Sequence, residues 1–493
     1  MRILLFSMPD MAPEFMRSWQ APNLALSSIT GNIKGHEVHM ADLVLVRNRL
    51  KETIEGLLND YKPDVVGLSA MSFQFHTARR IAALTKKINK DIKTVLGGYH
   101  ATLMYEEIVD TGEAEPFDFI LRGEGDLSFG ELLQAIEGKA RYEDVKGLSF
   151  RHMGTFVHNP PRPLEDLSNI AVPNRTNRVL RGYLFSARQL DIIETSRGCT
   201  MPCNFCSMNQ MYGRSFRMYA IERVIEDIAN AKKQGARYLA IADDNICLNL
   251  KRLEELCDAI IHAGHNDIAY VVQASSVGMS SSARLIEKMA RAGFEIVFLG
   301  IENVSERNLK LMKKGNILDK TKQAIEYLHK YNMLIVGGMI LGHAEDGEED
   351  IAQNYEFFDK NDIDFFADQV ITPYPKTGMR EELLKENLIT NPHDYRKYNG
   401  FWANVRTKHL SSEELQFLKW KYRRKYSTFY KTTPVFKYRF PLVDLLRVFA
   451  LRPYYRTKDM VRAFGKTERE VFEDRMQQFN SLNDFPELNT SAH

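Results

Sequence analysis

Residues 190–206 read LDIIETSRGCTMPCNFC. A strand-like apolar run, LDIIETS (190–196), leads into a loop holding Cys199, Cys203 and Cys206 at the spacing C-x3-C-x2-C. A closed metal site takes four protein ligands. Three thiolates instead suit a cubane of four irons and four sulfides (4Fe-4S). Each thiolate takes one iron, and the fourth iron stays open to the amine and carboxylate groups of a substrate or cofactor. Zinc is the competing reading, with a fourth ligand from Cys247, Cys257 or a histidine. Taken singly, Cys247 and Cys257 read as small buried hydrophobes.

The strand carrying this loop opens a series. Strand-like runs recur at RYLAIADD (237–244), AYVVQAS (269–275), EIVFLGIE (295–302), LIVGGMIL (334–341) and ADQVITPYP (367–375). Helical stretches such as YAIERVIEDIANAKKQG (219–235) lie between them. Six such units fit a full or partial parallel barrel, whose chemistry sits at the C-terminal mouth. The cysteine loop follows the first strand. Polar or glycine-bearing ends follow the others: Asp243, Asp244 and Asn245 in IADDN, Gln273, Glu302 in GIEN, and Gly342 in GGMILGHAED (337–346).

Upstream, RILLFS (2–7), EVHMAD (37–42), DVVGLS (64–69), KTVLGG (93–98) and FDFILRGEG (117–125) read as strands. Between them lie amphipathic stretches such as TARRIAALTKKI (77–88), with Ala78, Ile81, Ala82 and Leu84 on one face. This alternation predicts a doubly wound parallel sheet that binds its ligand at the carboxyl ends of its strands. Those ends carry Ser69, Gly97, Gly98 and the run Gly123, Glu124, Gly125. The stretch HNPPRPLEDLSNIAVPNR (158–175), with four prolines, reads as a hinge-like linker. Beyond the barrel the rhythm is lost. Ser411 and Glu414 have capping-box spacing, and Leu415, Leu418, Tyr422, Tyr426 and Phe429 recur at helical intervals. The fold class expected is α/β: a doubly wound domain (1–150), a linker (151–185), a partial (β/α)6 barrel (186–385) and a mainly helical C-terminal cap (386–493).

The chain has 493 residues, 44% hydrophobic and 26% charged, with a net charge of +2. That balance argues against a dedicated nucleic-acid binder. Five cysteines, three of them clustered, suit a metal site in a reducing compartment, so a cytoplasmic location is expected. The opening MRILLFSMPD reads as a strand rather than a signal peptide. Between 411 and 456, 11 basic residues face 3 acids among aromatics. A helical cap with a basic face is the expected form, and peripheral membrane contact is compatible with it.

The cysteine spacing, with Phe205 just before the last cysteine and the loop after a first barrel strand, resembles the signature of the radical S-adenosylmethionine (radical SAM) superfamily. The resemblance implies a 4Fe-4S cluster held by Cys199, Cys203 and Cys206, with S-adenosylmethionine on the open iron. Reductive cleavage of that cofactor gives a deoxyadenosyl radical. Phe205, Asp243, Gln273, Glu302 and Gly342 become candidates for contact with S-adenosylmethionine. PNLALSSITGNIKGHEVHMADL (22–43), PDVVGLSA (63–70), VLGGYHAT (95–102) and FDFILRGEGD (117–126) together resemble the cobalamin-binding domain of the cobalamin-dependent members. Ser69, Gly97, Gly98, His100, Glu124 and Gly125 become candidates for cobalamin contact. The D-x-H-x-x-G motif that supplies a lower cobalt ligand is missing, since His36, His39, His76 and His100 lack its surroundings.

The resemblance implies a C-methyltransferase. It would move a methyl group from methylcobalamin to an unactivated carbon of a small-molecule or lipid substrate, with electrons from a low-potential flavodoxin or ferredoxin. Oxidative cyclisation or carbon-skeleton rearrangement with the same cofactors is the alternative, as in tetrapyrrole ring cyclases. A non-catalytic redox or cobalamin sensor is a second.

Overall fold

The computed structural model describes residues 1–13, 19–185, 188–426 and 463–489. Five parallel strands build the first sheet: β1 (Arg2–Ser7), β2 (Glu37–Asp42), β3 (Val65–Ser69), β4 (Lys93–Gly97) and β5 (Phe119–Leu121). Two antiparallel strands, β6 (Leu148–His152) and β7 (Thr155–His158), complete it in the order β2-β1-β3-β4-β5-β6-β7. The sheet thus continues past residue 150. Its apolar strands are buried on both faces, as a parallel sheet between helices requires. The helix Phe75–Ile88 turns Ala78, Ile81, Ala82 and Leu84 inward, as its periodicity predicts.

The second sheet carries six parallel strands: β8 (Arg188–Ile193), β9 (Tyr238–Ile241), β10 (Ala269–Ser275), β11 (Phe294–Glu302), β12 (Leu334–Leu341) and β13 (Phe365–Val370). They pair in sequence order, which is a barrel wall. Two short antiparallel strands extend it past β8, Leu184–Phe185 and then Trp19–Gln20, so a piece of the first domain joins the second sheet. Along each barrel strand one set of residues packs outward under the helices. The alternate set, including Leu190, Tyr238, Ala269, Ile296 and Leu334, forms a separate inner cluster.

Three expectations shift. β5 ends at Leu121 because Arg122 folds over the neighbouring chain, with Nε 3.1 Å from the Gly147 carbonyl, and Gly123 turns at φ +80°. The expected strand LDIIETS ends at Ile193: the chain bends at Thr195, and Ser196 and Arg197 then pair antiparallel with Met218 and Arg217 as a short separate strand. The proline-bearing stretch 158–175 is no free hinge: Arg162 pairs with Glu131 at 2.6 Å and Glu165 at 2.7 Å, and buried Arg175 with Asp227 at 2.5 Å.

At the C-terminal end, Ser411 and Glu414 form the expected capping box before the helix Ser412–Tyr426. Leu415 and Leu418 bury against the barrel core. Phe429 and the basic stretch from 427 to 456 lie outside the described residues. The helix Glu468–Asn480 packs Phe472 and Met476 beside Phe401 and Trp420.

Candidate functional site

The cysteine loop is built from its anchors upward. Asp243, fully buried after β9, accepts the Thr195 amide (2.7 Å) and hydroxyl (2.5 Å) and the Ser196 amide (3.1 Å) and hydroxyl (2.6 Å). These four bonds fix the turn out of β8. Gly198 follows at φ +88°, and a Cβ there would lie 2.4 Å from the Ser215 carbonyl, so only glycine fits. Its amide donates to Asp244 at 3.0 Å. Further along, Asn204 Nδ2 donates to the Leu311 carbonyl (3.0 Å) and to Glu382 (3.1 Å). Phe205 packs against the barrel core.

All three cysteines of the loop are free thiols, Cys203 buried and the others half-buried. Burial raises the pKa of each, Cys206 to about 11. Such thiols stay protonated at neutral pH unless a metal takes them as thiolates. Among the described residues no three His, Cys, Asp or Glu side chains converge on a point that encloses a single ion. Three thiols in one glycine-turned loop fit a cluster that uses one thiolate per iron.

Around the mouth, Gln273 stands exposed on the inner-facing register of β10. Glu302 sits at φ +67° beyond a bulge in β11, and its carboxylate pairs with Lys314 at 2.8 Å. Burial works against the Lys314 charge, but Glu302, and Cys203 and Cys199 when they are thiolates, hold its pKa above the ordinary lysine value. Gly342 lies under the C-terminal helix, where a Cβ would meet Leu415 at 2.5 Å. The inward glycine of that strand is Gly338, against Phe298.

Opposite the mouth are the ends of β3 and β4, where Ser69 and Gly97 lie side by side, half-buried. Gly98 turns at φ +94° tight against Ala70. Tyr99 then crosses to the cysteine loop. Its hydroxyl lies 3.1 Å from Met208 Sδ, and burial, with Tyr212, Asp244 and Cys206 nearby, raises its pKa well above the tyrosine norm.

Several of the expected contact residues have partners within the chain. Asp243 is committed to the β8 turn, Glu302 to Lys314 and Gly342 to helix packing. His100 is buried, its ring 4.4 Å from Phe75 and 5.2 Å from Tyr395. Glu124 is consumed by Arg197 (3.0 Å) and Arg217 (2.8 Å). Gly125 starts a helix packed on Ile29. Sequence reasoning missed Tyr99, Arg197, Asp126 and Lys314. Tyr99 lies within VLGGYHAT, Asp126 within FDFILRGEGD and Arg197 two residues before Cys199, and that placement was their signal. Lys314 carried none.

The family model for the Radical SAM superfamily matches residues 193–358, and that for the B12 binding domain matches residues 20–133. The chain is 29% identical over 434 residues to an uncharacterised methyltransferase of Pyrococcus horikoshii, covering 87% of this chain and 92% of that one. It is 26% identical over 363 residues to the anaerobic magnesium-protoporphyrin IX monomethyl ester cyclase of Rubrivivax gelatinosus, covering 72% and 63%. In fold it is similar to a radical S-adenosylmethionine methyltransferase of Kitasatospora setae, solved with cobalamin and a [4Fe-4S] cluster. The TM-score is 0.66 at 17% identity, covering 78% of each chain. With a B12-binding domain set against a radical SAM barrel, the chain belongs to the cobalamin-dependent radical SAM enzymes.

Proposed function

We propose that the protein is a cobalamin-dependent radical SAM C-methyltransferase acting on a small-molecule or lipid substrate. The observation that carries this reading is the juxtaposition of Tyr99, at the end of β4, with Met208, in the helix that follows the cysteines. The two cofactor edges of the fold meet there. Cys199, Cys203 and Cys206 would hold the cluster, and the small residues Ser69 and Gly97 would leave room for a flat macrocycle close to the backbone, with Gly98 making the tight turn against Ala70. When bound, these groups supply a carbon-centred radical and a methyl donor.

The chain's own residues prepare the site. Asp243 and Gly198 fix the direction in which the thiols leave β8. Lys314, kept charged by Glu302, would set a cation beside Cys203 and Cys199 against the negative charge of a thiolate cluster. The apolar inner cluster below the mouth closes the floor of the half-barrel against water. Gln273 offers an amide to whatever enters from above.

Oxidative cyclisation is the second reading, favoured by the similarity to the Rubrivivax cyclase. Anaerobic turnover with methyl-labelled S-adenosylmethionine tests the proposal. Label in the product supports methyl transfer. An oxidised product without label supports cyclisation, and no 5′-deoxyadenosine at all supports the sensor. A reducing, cytoplasmic setting with a flavodoxin or ferredoxin donor goes with this chemistry. Among the described residues no helix is long and apolar enough to cross a membrane.

A further inference from the structure

Arg197 precedes Cys199 by two residues, and its guanidinium is saturated by carboxylates from both domains. Nε reaches Glu194 at 3.0 Å, Nη1 reaches Glu124 at 3.0 Å and Asp126 at 2.8 Å, and Nη2 reaches Asp126 at 3.1 Å and Glu194 at 2.7 Å. Glu194 leaves the end of β8. Glu124 and Asp126 leave the end of β5 and belong to the first domain. All four side chains are nearly buried. The carboxylates are themselves fixed: Asp126 by the Ser28 hydroxyl, Glu194 by the Tyr219 hydroxyl at 2.7 Å, and Glu124 by Arg217. A planar fork with every donor engaged defines position and orientation together, which a flexible ammonium does not.

A second buried cluster also joins the halves. Arg178 donates to Asp191 at 2.6 Å and to the Ser27 hydroxyl at 3.1 Å, and Arg175 to Asp191 at 3.1 Å. Those arginines belong to the connecting segment and stand apart from the cysteine loop. They join the domains through contacts that do not involve Arg197. The Arg197 clasp is therefore free to serve a narrower purpose.

We propose that Arg197 is a positioning residue that sets the separation and tilt between the cobalamin edge of the first domain and the cysteine loop of the barrel. The inference rests on the functional reading above, because it assigns both cofactors to their edges. Methyl transfer needs both cofactors within reach of one substrate carbon. A displacement of about 1 Å is enough to cost on the order of 10²-fold in such a step.

The test uses the full chain, reconstituted anaerobically with iron, sulfide and cobalamin, and two variants that open the same clasp from opposite sides. Arg197→Lys keeps a charge without the fork. Asp126→Asn lies in the other domain and leaves the cysteine loop untouched. The readout is the electron paramagnetic resonance of cob(II)alamin beside the reduced cluster, whose relaxation enhancement depends on their distance. Both variants are expected to keep wild-type iron and cobalamin contents and to lose that enhancement. Methyl transfer per 5′-deoxyadenosine formed should drop by about 10²-fold. If both variants keep the enhancement, the clasp only supports the fold and the inference is overturned. It is also overturned if Arg197→Lys loses iron while Asp126→Asn behaves as wild type, since Arg197 then serves its own loop alone. A wild-type chain that holds neither group sinks the functional reading, and this inference with it.

Discussion

Arg47 Nη2 lies 3.1 Å from Asn483 Oδ1, a contact between residues 436 positions apart. The same guanidinium group takes the Leu482 carbonyl at 2.7 Å, and Asn483 closes a two-way bond with the backbone of Met11 at 3.2 and 3.1 Å. Phe485 and Leu488 follow into the core of the first domain. The C-terminal segment, anchored on the barrel side by Phe472, is thereby strapped across to the cobalamin-binding domain.

Phe485→Ala should therefore destabilise the first domain, by about 3–5 kcal/mol for a buried aromatic. The check is the first unfolding transition in denaturant, with protease cleavage after residue 463 as a second reading. An unchanged transition would mean that the strap only rests on the surface.

The Glu302–Lys314 pair is nearly buried, and each partner compensates the other's charge. Glu302→Gln leaves a cation uncompensated and should cost about 3 kcal/mol. The double variant Glu302→Gln/Lys314→Met should recover part of that loss. Reductive cleavage of S-adenosylmethionine, measured per folded chain, separates this from direct contact with the cofactor. A large fall in the double variant with stability restored would return Glu302 and Lys314 to the cofactor.

Asp243 holds four donors of the β8 turn, and removing it strands them in the interior. Each buried donor left without a partner costs about 1–3 kcal/mol. Asp243→Ala is expected to lose cluster retention, read as iron per folded chain, and Asp243→Asn to lose less. Full iron content in the alanine variant would show that the cysteine loop keeps its shape without this anchor.

His100 is neutral in the folded chain because burial drives its pKa down to about 3. The unfolded chain protonates it near 6.5. Its contribution is therefore complete above pH 6.5 and is lost as pH falls toward 3, at about 1.4 kcal/mol per unit. Unfolding free energies at pH 7.5 and 5 should differ by about 2 kcal/mol more in the wild type than in His100→Leu. Equal pH dependence in both would place the titration elsewhere.

Much of the barrel was legible because strand periodicity is local: β10 and β12 occupy the residues expected, and the cysteine loop follows β8. Side-chain partners were less legible. Asp243, Glu124 and Gly342 each sit where a motif puts a polar or small residue, but their partners, Thr195, Arg197 and Leu415, lie far off in sequence. The surroundings of His100 were hidden for a related reason, because the direction of a side chain at a helix start depends on how that helix docks, here against Phe75 and Tyr395.

By itself, then, the sequence determined the alternation of strands and helices, the C-x3-C-x2-C loop and the small residues Ser69 and Gly97 at the ends of β3 and β4. These follow from local backbone preference and covalent spacing. Only the tertiary structure decided that Tyr99 meets Met208, that Arg197 is held by two domains, and that the strap from 467 to 489 crosses to the first domain. Contacts of that kind depend on which surfaces become buried together, and burial is a property of the whole chain.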